Sequence, residues 1–494
     1  MMLSSKRTRK GDCVMNPIVE ENLISFKELE KNIFDFVCEL AREITRTMLE
    51  SYDKELAEER DKKAYRGKGN RRTSIKTVYG EVEYSRRVYQ TKTEDGQTAH
   101  VFLLDQAMQM DKIGLISTNL AEKIALTVTE SPYRTTAEII SQTCGQNISA
   151  QGVWNMIQRL GERIEEEETY AVKQMEAGQS EGTRALPVLF EEMDGVWLHM
   201  QDEHHRKMKK QEMKVCTLYE GWDAEKEKEG RSTLSGKTML AGMEDSHTFH
   251  EKREACIRRK YNADEIGQRI LNGDGGSWIK EPYDPDVIFQ LDRYHIYQEI
   301  LRKIKDKKAQ QDIRVLLEEE KIDEMLEYIR IYADSVESPD KKDPCSKQAR
   351  ELLQYLKNNK QGLLPYDRQG VKIPEPAEGL VYKHMGVQEN QNCTVITMRM
   401  KHRRMRWSVS GANNLAKTLY RSENKDLINT IERYTDGLIF TMKMRQVIEV
   451  LSAAKAPQRD GKGNSYVEVI SSHMPILEAV QTASRKAFKR AFVG

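Results

Sequence analysis

The chain is 494 residues long, 38% hydrophobic and 32% charged, with a formal net charge of +1. One core cannot serve that length, so two to four domains are expected, and the apolar content is too high for general disorder. The near-zero balance excludes a polyanion binder that works by total charge, and the absence of any apolar run near the roughly 18 residues of a membrane span excludes a helical membrane protein.

Any nucleic-acid affinity must therefore come from local patches. Such patches exist: ten Lys/Arg against three Asp/Glu between Arg60 and Gln90, and five Lys/Arg with no acid between Arg399 and Arg406. Seven scattered cysteines include no Cys-x-x-Cys pair, which argues against a disulfide framework and a structural zinc site. The basic N-terminus lacks the apolar segment of a secretory signal. A cytoplasmic protein is expected.

From Pro17 to about Lys63, apolar residues at three- and four-residue steps (Leu23, Phe26, Leu29, Ile33, Phe36, Val37, Leu40, Ile44) predict a helix that packs on its own domain or on a second subunit. Ala64 to Arg72 is Gly- and Lys/Arg-rich and is expected to be a loop. The period then becomes two: Ser74–Val78 and Glu81–Tyr89 flank Tyr79-Gly80 as a hairpin. Arg71, Arg72, Arg86 and Arg87 could grip a phosphate backbone there, or simply form a solvated face. Ile113 to Thr129 is again helical. Thr135–Thr143 and Ser149–Arg159, joined by a turn at Gly145, have helix-turn-helix spacing, with Ala137 and Ile140 packing on Ile148, Val153 and Ile157. Ser149 suits the N-cap of the second helix, whose early residues, Ala150, Gln151 and Asn155, would face a major groove if DNA is bound. Glu162–Glu168 is expected to be an acidic helical linker.

Strands are predicted at Pro187–Met200, Lys214–Tyr219, Thr233–Ala241, Gln268–Asn272 and Val287–Leu291, with a helix at His247–Tyr261 between the third and fourth. Three strands, a helix and two more strands imply a mixed α/β sheet. Tyr294 to Lys360 turns helical, Gly362–Glu378 is a loop, Asn390–Arg404 a further helix, Gly411–Tyr420 another, and Pro475–Phe492 a basic amphipathic helix.

Three carboxylates stand among apolar residues or glycines. Asp194 shares one strand face with Val188, Phe190, Glu192, Val196 and Leu198, where an uncompensated charge is disfavoured. Asp274, in Asn272-Gly-Asp-Gly-Gly-Ser-Trp-Ile-Lys280, follows a strand; the glycines make a turn, and strand ends are also where α/β sheets gather ligands. Glu389 starts a stripe with Cys393, Ile396 and Met400 that should face inward. Inward carboxylates without a Cys/His set suit Mg²⁺ or Mn²⁺, and two such ions about 4 Å apart can drive phosphodiester displacement. Each acid taken alone is more simply a turn or cap residue.

Asp194 in Glu-Met-Asp-Gly-Val-Trp, Asp274 in Gly-Asp-Gly-Gly-Ser-Trp-Ile, Leu291-Asp-Arg-Tyr-His295 and Glu389-Asn390, with the acids 80 and 115 residues apart, occur in the order seen in bacterial insertion-sequence transposases. The chain resembles the ISLre branch, related to the Mutator-like superfamily, over roughly Pro17 to Thr418. The resemblance implies an RNase H-like mixed-sheet catalytic domain with Asp194 on its first strand, Asp274 after its fourth, and Glu389 on a helix beyond a helical insertion. It implies two Mg²⁺ or Mn²⁺ ions on Asp194, Asp274 and Glu389, with Asp292 and His295 in a slot that supports the acids or positions DNA; the alternative for that pair is a strand end and helix cap. Met385-Gly-Val-Gln departs from the family's usual lead-in to the glutamate. Arg399, Lys401, Arg403 and Arg404 would meet DNA phosphates.

The organisation this implies is an N-terminal helix and basic hairpin (1–112), a helix-turn-helix region (113–182), a catalytic core (183–296), a helical insertion (297–381), the glutamate helix (382–423) and a helical tail (424–494). The expected activity is cleavage and transfer of DNA strands at the terminal inverted repeats of the protein's own element and at target DNA, by a homodimer or higher oligomer. A non-catalytic helix-turn-helix regulator and a structure-selective nuclease of the same fold remain open alternatives.

Overall fold

A computed structural model describes residues 25–93, 95–108, 115–179, 182–280, 284–337 and 344–435. The expected helix Pro475–Phe492 and most of the tail lie outside the described residues. Among those described, no helix is long and apolar enough to cross a membrane.

Helix α1 (Phe26–Glu59) begins at a capping box: the Glu28 N–H donates to Ser25 Oγ at 3.2 Å and the Ser25 N–H to Glu28 at 2.8 Å. It packs on an antiparallel sheet of β1 (Arg66–Thr77), β2 (Gly80–Lys92) and β3 (Thr98–Val101), burying Leu49 against Ile75, Val82, Tyr84 and Leu104, the last from the short helix α2 (Leu103–Met108). The loop expected at Ala64–Arg72 is strand from Arg66 onward, because its backbone pairs with β2 from Gln90 to Ser85 across a bulge at Gly67/Asn70.

Helices α3 (Thr118–Glu130), α4 (Tyr133–Thr143) and α5 (Ala150–Glu176) follow. Ala137 and Ile140 bury against Ile148, Val153 and Ile157 as expected, and Ser149 caps α5 through the Gly152 N–H at 3.1 Å. The acidic stretch Glu162–Glu168 is not a linker: it continues α5, a single helix of 27 residues. Nor does residue 182 separate two cores, since one apolar cluster runs from Ile116 through the central sheet to Ile431.

The central sheet comprises β4 (Arg184–Leu198), β5 (Gln211–Tyr219), β8 (Thr238–Gly242), β9 (Tyr261–Gly273) and β10 (Val287–Leu291) in the order β10-β9-β4-β5-β8. β4, β5 and β8 form an antiparallel meander, while β9 runs parallel to β4 and β10 parallel to β9. A small sheet of β6 (Gly221–Asp223), β7 (Leu234–Ser235) and β11 (Leu380–Val381) sits beside it; a one-turn helix, α6 (Ala224–Lys228), follows β6. Helix α7 (Ser246–Lys260) joins β8 to β9, and α8 (Ser277–Lys280) follows β9.

The inserted helices are α9 (Arg293–Lys303), α10 (Lys307–Glu318), α11 (Ile322–Ser335) and α12 (Cys345–Asn358), with a core of their own built from Ile296, Ile300, Ile313, Leu317, Ile329, Leu352 and Leu356. Beyond them the stretch 388–400 consists of α13 (Gln388–Gln391), a π-helical turn (Asn392–Thr397) and α14 (Met398–Met400). Helices α15 (Val409–Glu423) and α16 (Leu427–Thr435) close the described chain. α15 crosses α5 so closely that a Cβ on Gly161 would lie 2.5 Å from Asn414 Cα; only glycine fits there.

Candidate metal centre at the end of the central sheet

β4 and β9 run side by side in parallel, with Glu192 opposite Asn272 and Met193 opposite Gly273. Their carboxyl ends therefore deliver Asp194 and Asp274 to the same edge. Turn and strand end coincide at Asp274. Gly275 takes φ 82°, a left-handed conformation that favours glycine, and the Gly276 N–H donates to Asp274 Oδ1 at 2.8 Å. The turn is what presents the acid.

β10 ends at Leu291, and Asp292 caps α9 through the His295 N–H at 3.2 Å. The same carboxylate meets His295 Nδ1 at 2.9 Å, while Nε2 of that ring lies 3.7 Å from Asp194 Oδ1. Cap and site residue are thus one and the same. Ligand atoms of Asp194, Asp274 and His295 all lie within 4.8 Å of one another.

Asp194 is held from two sides, by the Gly195 N–H at 2.7 Å and by Asn392 Nδ2 at 2.7 Å. Burial raises its pKa to about 6; His295 and the Gly195 N–H oppose that rise, and the charges of Asp274 and Glu389 add to it. Burial disfavours the His295 cation, yet Asp292, Asp194 and Asp274 together lift its pKa to about 9. Burial also disfavours the Asp292 anion, but hydrogen bonds from His295 and Asn272 hold its pKa below the usual range.

Glu389 does not face the interior as expected. It is exposed, as is Cys393, while Gln388, Gln391, Asn392, Val395, Ile396, Arg399 and Met400 are buried. The π-helical turn at Asn392–Thr397 widens the helix and shifts the inward face by one position. Glu389 nonetheless stands one turn before Asn392, which touches Asp194, and its charge is felt at Asp194.

The sequence alone assigns no role to Glu192, although it is fully buried. It accepts from Tyr219 Oη at 2.6 Å, from the N–H groups of Gly386, Val387 and Gln388 at 3.0, 3.2 and 3.1 Å, and from Asn272 Nδ2 at 3.2 Å. It clamps the lead-in to Glu389 onto β4. Burial pushes its pKa up, against the hydrogen bonds from Tyr219, Gly386, Val387 and Gln388. Strand parity hints at Glu192, which shares a face with Asp194; nothing local could reveal the three N–H groups some 194 residues away. Glu212 of β5 is a further acid near the site, its pKa raised by burial and by Asp274.

The expected DNA contacts divide. Gln151 and Asn155 are exposed on α5, joined to each other at 2.9 Å, and Arg71, Arg72, Lys401 and Arg404 are exposed. Three others are engaged within the fold. Arg86 pairs with Asp105 at 2.6 Å and lies over the Phe102 ring; Arg87 pairs with Asp53 at 2.6 Å. Arg399 is 5% exposed, donates to the Val128 carbonyl at 2.6 Å and lies over Tyr133 and Trp407. These three cations hold the fold together. The side chain of Arg403 lies outside the described residues.

A second acidic group, Glu165, Glu168 and Glu244, also has the spacing of a metal site. Two lysines already fill it: Lys417 meets Glu165, Glu168 and Glu244 at 2.9, 2.5 and 3.2 Å, and Lys252 bonds the same three acids.

Comparison with known proteins finds one family, described as "Uncharacterised protein family (UPF0236)", matching residues 19–432. A UPF0236 protein of Caldanaerobacter subterraneus subsp. tengcongensis, whose name joins eleven TTE labels, is 24% identical over 471 residues, 93% of this chain and 92% of the relative. UPF0236 protein TTE2489 of the same organism is 23% identical over 478 residues, 93% of this chain and 92% of the relative. A "UPF0236 protein in vanSb 3'region" of Streptococcus gallolyticus is 23% identical over 399 residues, 78% of this chain and 81% of the relative.

Proposed function

The chain belongs to the UPF0236 family, and we propose that it is a DNA transposase of a bacterial insertion sequence, cleaving and transferring DNA strands at an RNase H-like, metal-dependent acid site. The observation that carries this reading is the meeting of Asp194 and Asp274, 80 residues apart in sequence, at one sheet edge beside His295. Strand order supports it. Numbered from β4, the sheet reads 5-4-1-2-3, with the first three strands antiparallel and the last two parallel to the first; a mixed sheet is what the RNase H-like reading implies. Asp194 lies on the first of these strands and Asp274 just past the fourth, and a separately cored helical insertion precedes Glu389.

The donor set fits a hard divalent cation. Two carboxylates and an imidazole crowd together, and the pKa of Asp194 is pushed up by burial and by neighbouring acids; a cation would relieve both. Asp194 and Asp274 would hold Mg²⁺ or Mn²⁺, with Glu389 approaching from the glutamate helix. When bound, such ions lower the pKa of a water or 3′-hydroxyl and stabilise the departing oxygen. The chain's own residues do the positioning. Asn392 and the Gly195 N–H fix the Asp194 carboxylate, Asp292 orients His295, and Glu192 clamps the approach to Glu389. Two names among the relatives support a mobile gene: one joins eleven labels, and the other is placed in the vanSb 3′ region.

The test is an assay with purified protein, Mg²⁺ and a plasmid carrying candidate terminal repeats. Asp194→Asn and Asp274→Asn should each abolish cleavage and joining while leaving end binding intact. Cleavage retained in both variants rejects the assignment; breakage without joining makes the protein a nuclease.

A further inference from the structure

We infer that the β4–β5 hairpin tip and the basic run after the glutamate helix form one continuous platform for the phosphate backbone of duplex DNA, set to one side of the acid site. The inference rests on the transposase reading for what the duplex is doing there, but not for the platform itself.

Between β4 and β5 the chain reads His199-Met-Gln-Asp-Glu-His-His-Arg-Lys-Met-Lys-Lys210. It folds into a tight tip: the Met208 N–H donates to the Met200 carbonyl at 3.0 Å, the Asp202 N–H to the Arg206 carbonyl at 3.0 Å, and His205 takes φ 59°. Arg206, Lys207, Lys209 and Lys210 are all exposed. The second segment is stitched to the first. The Trp407 N–H donates to the His199 carbonyl at 3.0 Å and the Gln201 N–H to the Trp407 carbonyl at 2.8 Å. Lys401, Arg404 and Arg406 are exposed on that segment, with Arg404 at φ 55°. Its base is anchored by buried Arg399 and Trp407.

Seven cations thus gather from segments about 200 residues apart in the chain. Arg206 pairs with Asp202 at 2.9 Å. Among the described residues, no ion pair engages Lys207, Lys209, Lys210, Lys401, Arg404 or Arg406. The second acidic group shows how this fold treats lysines it uses structurally: it buries them among carboxylates. Here like charges stand together in water, an arrangement that a polyanion stabilises by releasing its counterions.

Both segments also start at the acid site. From Asp194, β4 climbs six residues to Met200, roughly 20 Å at strand rise. From Glu389, the α- and π-helical stretch leads to Met400, whose carbonyl accepts from Trp407 Nε1 at 2.9 Å. The two routes end side by side, since Met200 pairs with Trp407. The platform therefore lies about 20 Å from the reacting position, about six base pairs along B-form DNA at ~3.4 Å per step. A duplex with its cut phosphate at the acids reaches the platform at that distance on one side of the cut.

The test is fluorescence anisotropy of a labelled 30-base-pair duplex of arbitrary sequence, titrated with full-length protein across a salt series. Lys207→Ala/Lys209→Ala/Lys210→Ala and Lys401→Ala/Arg404→Ala/Arg406→Ala should each make the slope of log K against log salt shallower by about 2 to 3, at roughly 0.9 for each phosphate left without its cation, with the melting temperature unchanged. On a duplex cut by the wild type, protection from hydroxyl radicals about six base pairs from the cut should vanish in both triple variants. Unchanged slopes in both overturn the platform, even if Asp194-dependent cleavage persists. If the wild type binds DNA with the expected slope changes but never cuts, the platform stands and the enzymatic reading falls.

Discussion

At Glu165, Glu168 and Glu244, three acids meet two lysines; at Asp194 and Asp274, two acids meet one histidine, whose other ring nitrogen meets Asp292. The groups have similar spacing but different counter-charges. Lys417 and Lys252 are 1% and 5% exposed at their side chains, so their charges are committed to the carboxylates of α5 and of the turn after β8, tying α5, α7 and α15 together. His295 is 28% exposed at its side chain and meets Asp194 at a loose 3.7 Å. A buried acid needs a cation; where the chain supplies permanent ones the result is a brace, and where it supplies only a titratable ring there is room for an ion from solution. Acidic spacing alone does not separate the two cases. The cations around it do.

The largest effect expected from breaking this contrast is at the brace. Lys417→Met leaves Glu168 and Glu244 buried with less compensation, a loss of about 3–5 kcal/mol readable as a lower urea midpoint. Adding Glu168→Gln should recover part of it. At the open group the expected effect is smaller and depends on the ion. Mg²⁺ at about a hundred times its Kd should stabilise the wild type and Lys417→Met alike by about 2.7 kcal/mol, measured as a rise in melting temperature. Asp194→Asn and Asp274→Asn should show little or none of that rise. Equal stabilisation of Asp194→Asn would move the ion elsewhere.

Much of this arrangement is legible in the sequence where the signal is local. Period-two alternation marks the N-terminal hairpin, and in the main sheet β10 occupies Val287–Leu291 as expected. Asp194 is visible as an acid in a largely apolar row that it shares with Glu192, and Asp274 as an acid wrapped in glycines. Failures arise where depth or a distant partner decides. A run of positive charge does not say how deep each residue sits, so Arg399 looks like a DNA contact although its guanidinium bonds a carbonyl of α3. Stripe arithmetic assumes 3.6 residues per turn, and the π-helical turn beside Glu389 breaks it. Composition alone makes Glu162–Glu168 a linker, while the lysines and arginines that make it part of the core come from α7 and α15. Glu192 and Asp194 obey the same strand rule; only the arrival of residues 386–388 makes Glu192 a clamp and leaves Asp194 to face His295.

The smallest effect, and the sharpest contrast, is in pH dependence without metal. In the brace region, burial raises the pKa values of Glu165 and Glu167, but Lys417 and Lys252 for the first, and Arg421 and Arg259 for the second, more than reverse this and bring both to about 2. Their unfolded value is near 4.5, so their contribution to stability is complete above that and is lost as pH falls toward 2. Asp194 has the opposite sign. With a folded pKa of about 6 against 3.8, the native protein keeps a proton that the unfolded chain has released, so stability declines as pH rises from about 4 to 6. His295, at about 9 against 6.5, contributes fully below 6.5, and that contribution fades as pH rises through 9. Urea midpoints measured in EDTA from pH 2.5 to 9.5 should therefore climb on the acid side, sag between 4 and 6, and fall again above 6.5. Asp194→Asn should remove the sag and leave the acid climb untouched, because the glutamates of α5 do not depend on it. Mg²⁺ should remove the sag in the wild type, as the cation takes over from the proton. Wild type and Asp194→Asn superposing between pH 4 and 6 would mean that Asp194 carries no such strain, and the contrast between brace and site would lose its physical basis.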